Sequence, residues 1–287
     1  MTGSPNGANR AVMNTKIPIE DEFEDILGKA MAGNRLFDRK LSAETGVHID
    51  TIRALVKGQL DEMALPKLAP ALKLDPNSLL RSAMKSWRPR PVELDGLLLF
   101  NSDYHGRMTV NAFLIWDPKS KAAAVFDTGT DAFPILDAIS ERGLQPVGLF
   151  LTHTHPDHIA EADSLTNRLG IPAFSNAKEP YENSTTFEAG AEFEIGGLKV
   201  ETRTTWGHSI GGTTFVIHGL ERPVAIVGDA MFAGSIGGGL VSYDDALKTN
   251  REQILTLPDE TVLCPGHGPL TSVGEEKRNN PFFPEFK

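Results

Sequence analysis

Apolar residues three and four positions apart in "FEDILGKAM", "DTIRALVKG" and "LPKLAPALKL", with almost no strand-like alternation, predict a run of short helices from about Ile17 to Trp87. The pattern changes after "SWRPRPVELDG" (Ser86 to Gly96), where two prolines close together interrupt the periodicity and mark a domain boundary near residue 90. Beyond it, short runs rich in β-branched and aromatic residues recur: "NAFLIWD", "AAAVFD", "VGLFLT", "LKVETRTT", "TTFVIHG", "PVAIVGD" and "ETVLCPG". Helical periodicity separates some of these strands, over Phe133 to Arg142, His158 to Leu169 and Asp244 to Leu257. Strands in pairs mixed with helices point to a layered α/β sandwich rather than simple βαβ alternation. Residues 1–16, rich in Gly, Asn, Ser and Pro without an apolar face, read as a disordered tail. The expected organisation is therefore a tail (1–16), a small all-helical domain (17–90) and an α/β domain (91–287).

Composition narrows the picture. No apolar run approaches the roughly 18 to 20 residues that cross a bilayer, and the N-terminus lacks an apolar signal core. The single cysteine, Cys264, rules out an internal disulfide framework. The cytoplasm, with no membrane partner, is the default expectation. Of the net charge of −10, residues 1–90 carry about +3 and the remainder about −13. Nucleic acid is a poor substrate for so acidic a main body, because phosphate binding draws on basic surface.

The candidate chemistry lies in "LFLTHTHPDHIAEA", where His153, His155, Asp157 and His158 fall within six residues at the end of an expected strand. Imidazole and carboxylate donors suit Zn²⁺, iron or Mn²⁺, and a catalytic site needs about three protein ligands per cation with one position open. One loop cannot complete a binuclear site. Three further donors, His208, Asp229 and His267, each stand just past an apolar run and beside glycine, as expected if one edge of a sandwich gathers them. A lone histidine is more often an ordinary polar group, and His48, His105 and His218, which lack this setting, are read that way. Asp127 in "VFDTG" also ends a strand and could orient a ligand imidazole through its free N–H. Cys264 reads as an inert packed thiol, and Gly234 to Gly239 as an active-site loop rather than a dinucleotide loop.

"THTHPDH" resembles the His-x-His-x-Asp-His signature of the metallo-β-lactamase superfamily, and His208, Asp229 and His267 follow in the order of that family's later ligands. "WGHSIGGTTF", "GDAMFAGSIG" and "CPGHGPLTSVGEEKRNNPFF" are similar to its glyoxalase II (hydroxyacylglutathione hydrolase) branch. The resemblance implies an αββα metallo-β-lactamase-like sandwich after the small helical domain. It implies a first metal on His153, His155 and His208, a second on Asp157, His158 and His267, and a bridging Asp229. The two divalent ions, zinc first and iron or manganese as alternatives, would activate a hydroxide against a carbonyl, with Asp157 and Asp229 as the catalytic carboxylates.

Thioester hydrolysis is the leading expectation, and ester or lactone hydrolysis or sulfur dioxygenation by a single iron are the alternatives. The chain departs from the branch where Gly238, Gly239 and Leu240 replace an Arg-Thr-Asp stretch after "GSIG", so a positive contact is missing and glutathione is placed in doubt. Short forms of the branch share this chain's early end after His267, so that feature decides little. "LSAETGVHIDTIRALVKG" resembles the helix-turn-helix of phage-repressor-like domains, which would present His48, Asp50, Thr51, Arg53 and Lys57 to DNA. Only two of those five are firmly cationic, so a dimerising or active-site-covering unit is preferred to a DNA-binding regulator that senses a metabolite. The expected partner is a small thioester or ester, and the added unit makes a homodimer plausible.

Overall fold

The structure, a computed structural model, describes residues 17–287; the expected tail lies outside the described residues. Five short helices open it: α1 (Phe23–Gly33), α2 (Asp38–Thr45), α3 (Ile49–Leu55), α4 (Leu65–Leu68) and α5 (Pro76–Ala83). Local chemistry sets several of their ends. Asp75 caps α5 by accepting from Ser78 N at 2.7 Å, with Pro76 in the first turn, and left-handed Gly46 closes α2. His48 is the N-cap of α3 and accepts weakly from Asp50 N at 3.3 Å.

Two six-stranded sheets follow. The first runs in sequence order through β1 (Leu97–Tyr104), β2 (Met108–Trp116), β3 (Ala122–Phe126), β4 (Gln145–Phe150), β5 (Ala173–Asn176) and β6 (Thr185–Phe187). The second has β7 (Glu192–Ile195), β8 (Leu198–Thr204), β9 (Thr213–His218), β10 (Val224–Gly228), β11 (Val262–Pro265) and β12 (Thr271–Ser272), also in order. Hairpins are antiparallel. Pairings that need a crossover, β3 with β4 and β10 with β11, are parallel. The remaining helices are α6 (Phe133–Arg142), α7 (Pro156–Ile159), α8 (Ala162–Leu169), α9 (Tyr243–Thr249) and α10 (Val273–Asn279).

Three apolar clusters assign these elements to layers. Between the sheets lie Leu99, Phe113, Phe126 and Phe150 from one side and Val200, Phe215, Ile226 and Cys264 from the other. The opposite face of the first sheet, through Leu114, Val125 and Leu149, packs on Ile135 and Ile139 of α6 and Leu165 of α8. The outer face of the second sheet, through Val216, Ala225 and Leu263, shares one cluster with Ile26, Leu27, Ile52 and Leu79 of the opening helices. The architecture is the αββα sandwich with a helical N-terminal region. The opening helices form much of its fourth layer, so their hydrophobic core is continuous with that of the sandwich.

The seven strands expected from sequence are present. Strands β1, β5, β6, β7 and β12 are additions. Four of them have only two to four residues, too short for alternation to register, and β1 loses its apolar character after Phe100. The helix expected from His158 begins at Pro156 and breaks after Ile159. Thr128 N takes the His158 carbonyl at 2.9 Å and Glu161 N donates to Thr128 Oγ1 at 3.1 Å, diverting two backbone groups from helix continuation. The expected helix over Asp244 to Leu257 is α9 followed by a π-helical turn, Asn250–Ile254, where Asn250 Nδ2 reaches Ala230 O at 2.7 Å.

Candidate metal centre

Strand ends deliver all seven expected donors to one edge of the sandwich. His153 and His155 follow β4, Asp157 and His158 lie on α7, and His208, Asp229 and His267 follow β8, β10 and β11. Pro156 starts α7 directly after His155, whose extended backbone (ψ 147°) turns the chain. His155 is thereby separated from Asp157 and His158 by a change from extended to helical backbone.

Donor atoms of His153, His155, His208 and Asp229 lie within 4.8 Å of one another, and so do those of Asp157, His158 and His267. Asp229 joins the two groups. Its Oδ2 is 3.3 Å from His208 Nε2 and 3.4 Å from His267 Nε2, and its Oδ1 is 3.3 Å from His158 Nε2. His267 Nε2 is 3.3 Å from Asp157 Oδ2, and His208 Nε2 is 3.0 Å from His155 Nδ1. Tetrahedral bonds of about 2.0–2.1 Å would hold donors roughly 3.3–3.4 Å apart, so these spacings fit cation coordination. The buried atoms His153 Nε2, His158 Nε2 and Asp229 Oδ1 have no hydrogen bond of acceptable direction. Such orphaned atoms are costly unless an ion satisfies them.

The far side of four of the five imidazoles is already committed, which turns the other nitrogen toward the cluster. His158 Nδ1 meets Asp127 Oδ2 at 2.8 Å, His208 Nδ1 meets Gly238 O at 2.9 Å, and His267 Nδ1 meets Thr109 O at 2.6 Å. A carbonyl only accepts, so Nδ1 of His208 and of His267 each carries a proton, and Nε2 is the nitrogen turned toward the cluster. His153 Nδ1 is 3.0 Å from Thr152 Oγ1, whose hydroxyl donates to Asp127 Oδ2 at 2.8 Å. Asp127, fully buried, thus supports two donors at once.

Charge in the cluster responds to those carboxylates. Burial alone would depress the imidazoles of His158 and His267. Asp229 outweighs it, helped by Asp127 and Asp157 respectively, and pushes them up to about 10 and about 11. Burial opposes ionisation of Asp229, but His267 and His158 hold it well below the usual carboxylate range. His153 and His208 go down, chiefly through burial. The pocket therefore sets neutral His153 and His208 beside carboxylates that draw positive charge onto His158 and His267, positive charge that a bound cation would supply in place of those protons.

Three supports had no sequence signal. Glu179 accepts from Thr154 N at 2.9 Å and Gly211 N at 2.7 Å, clamping the His153–His158 loop to the loop of His208. Asn111 Nδ2 donates to Pro265 O and Gly268 O, both at 2.8 Å, and so fixes the turn of His267. Thr152 is the third. A side-chain carbon at Gly266 would lie 2.1 Å from Asp229 Oδ1, and one at Gly237 1.7 Å from Asp229 O, so both sites admit only glycine without rearrangement. Cys264 is buried between the sheets and stays out of the cluster. His48, His105 and His218 also lie outside it.

Comparison with known proteins agrees with this geometry. The family model described as the metallo-beta-lactamase superfamily matches residues 105–267, a span that excludes the opening helices. The chain is 32% identical to the probable metallo-hydrolase YqgX of Bacillus subtilis, over 63% of this chain and 95% of that one. It is also 32% identical to the hydroxyacylglutathione hydrolase GloC of Haemophilus influenzae, over 60% of this chain and 92% of that one. Among solved structures it resembles TTHA1623 in a di-iron-bound form, with a TM-score of 0.53, 25% identity, and coverage of 64% of this chain and 99% of that one. With its two sheets, its clustered donors and a family match over more than half its length, the chain belongs to the metallo-beta-lactamase superfamily of metallo-hydrolases.

Proposed function

We propose that the protein is a metal-dependent hydrolase of thioesters whose seven clustered donors hold two divalent cations. His153, His155 and His208 would hold the first, Asp157, His158 and His267 the second, with Asp229 between them. The observation that carries this is the convergence of seven nitrogen and oxygen donors in two adjoining groups, among which the buried His153 Nε2, His158 Nε2 and Asp229 Oδ1 make no hydrogen bond. The all-nitrogen-and-oxygen donor set suits zinc, iron or manganese. When bound, such a pair of ions polarises a carbonyl and makes water acidic enough to supply a nucleophile near neutral pH.

The chain's own groups divide the remaining work. Asp127, Thr109 and Gly238 fix which nitrogen of His158, His267 and His208 faces the reacting centre. Asp157 and Asp229, both held below the ordinary carboxylate range, supply negative charge beside it that offsets the charge of the cations. Cys264 is no nucleophile, because burial pushes its thiol well above the ordinary range. A thiolate leaves without a strong general acid, which suits a pocket whose acidic residues are ionised. Similarity to a hydroxyacylglutathione hydrolase supports the thioester reading. Ester and lactone hydrolysis would use the same donors.

A DNA-reading role for the helical unit has less support. The Arg53 guanidinium is engaged by Asp38 at 2.8 Å and Asp50 at 3.7 Å, which cancels one of the two cations expected to face phosphate. Protein loaded with zinc, iron or manganese should be assayed on S-lactoylglutathione, an uncharged thioester and a lactone panel. Turnover confined to thioesters is expected; turnover of lactones alone would overturn the thioester assignment.

A further inference from the structure

The Gly238–Gly239 pair and the residues after it form one wall of a cleft of about 840 Å³. The opposite wall is the end of α1 and the turn before α5, which bring Lys29, Arg35 and Lys73 to face Gly238–Asp244. The floor is tight: the Tyr243 ring lies where a side chain at Gly33 would be, so glycine there lets α1 and the start of α9 meet. One imidazole separates the cleft from the donor cluster: the Gly238 carbonyl in its wall accepts the Nδ1 proton of His208, whose Nε2 faces His155 and Asp229.

The charges of the cleft are not spent alike. Lys29 is tied to Asp21 and to the carbonyl of Ile236. Arg35 and Lys73 are exposed and enter no ion pair among the described residues, and Asp244 is the one acidic side chain lining the cleft. On the rim, Leu240 and Val241 are 73% and 52% exposed. Two uncommitted cations beside exposed apolar side chains suit a flexible arm with methylenes along its length and negative charge at its end.

We infer that this cleft receives the anionic arm of the thiol half of the substrate, with Arg35 and Lys73 as specificity-determining residues supplied by the helical unit. The inference rests on the thioester reading. Biological thioesters carry their charge on the thiol, as carboxylates on a peptide thiol or phosphates on a nucleotide thiol, and both share the chemistry recognised here. The helical unit would then supply the positive contact that the facing Gly238–Ser242 wall does not carry.

The test compares metal-loaded wild type with the Arg35→Glu/Lys73→Glu double variant on S-lactoylglutathione, acetyl-coenzyme A and the uncharged S-lactoyl-N-acetylcysteamine. For the charged thioester that wild type prefers, KM should rise by roughly 10-fold with kcat little changed, while KM for the uncharged thioester moves by less than about 2-fold. The preferred charged substrate tells carboxylate from phosphate. Arg35→Gly/Lys73→Gly, which suits the left-handed backbone there (φ 52° and 57°), should give the same split with a smaller shift and guards against misfolding. Equal KM shifts on all three substrates, or none, would overturn the inference while leaving thioester hydrolysis standing. If wild type turns over lactones but none of the three thioesters, the thioester reading falls and the inference with it.

Discussion

Asp127 carries more of the site than any residue outside the donor set, because its two oxygens reach Thr152 N, Thr152 Oγ1 and His158 Nδ1, all at 2.8 Å. Asp127→Ala should weaken cation binding by about 10- to 100-fold with the fold retained, as read by titration with a competing chelator. Unchanged affinity would remove its orienting role. Gly266 makes a steric prediction at the same scale. With a methyl group 2.1 Å from Asp229 Oδ1, Gly266→Ala must displace the Asp229 carboxylate, and should lower both metal content and thermal midpoint. That these seven residues would cluster was legible in the sequence, because four fall within one loop and each of the others follows an apolar run. Glu179 and Asn111 were not, because their partners lie 25 to 157 residues away and no spacing advertises them.

At the scale of elements, α10 carries a group whose ionisation the fold opposes. Burial pushes the Glu276 carboxyl up to about 7, although Thr271, Asn280 and Gly234 N donate to it and partly offset the effect. A folded pKa above the unfolded one favours the protonated form, so this contribution to stability is complete below about pH 4.5 and is lost as pH rises through about 7. Integrated over that window the loss is on the order of a few kcal/mol. Glu276→Gln keeps an acceptor for the two N–H donors and removes the charge. In metal-free protein, urea midpoints of variant and wild type should coincide near pH 4.5, with the variant more stable at pH 8; parallel curves would contradict this. The long strands and α6 were legible from periodicity. The break after α7 and the π-turn after α9 were not, because Thr128 and Asn250 create them through hydrogen bonds across the fold.

For the whole molecule, the opening helices are the part the sequence described least well. Their periodicity gave helices, but not that Ile26, Leu27 and Leu79 would join the outer face of the second sheet in one core. A helix's apolar stripe shows that it packs and not on what. Continuity of that core predicts that the helical region and the sandwich unfold together. A single transition should follow from both far-ultraviolet dichroism and Trp87 fluorescence, and two separated transitions would show an independent unit.

If the seven residues hold two cations as proposed, metal stoichiometry and turnover must rise and fall together. The most direct measurement is metal content per chain alongside thioester turnover, in wild type and in His155→Ala, with folding checked by dichroism. Two ions per wild-type chain are expected, with loss of turnover on chelation, recovery on adding metal back, and a folded His155→Ala protein that has lost metal and activity. Undiminished turnover in that variant or in the metal-free chain would contradict the two-cation proposal.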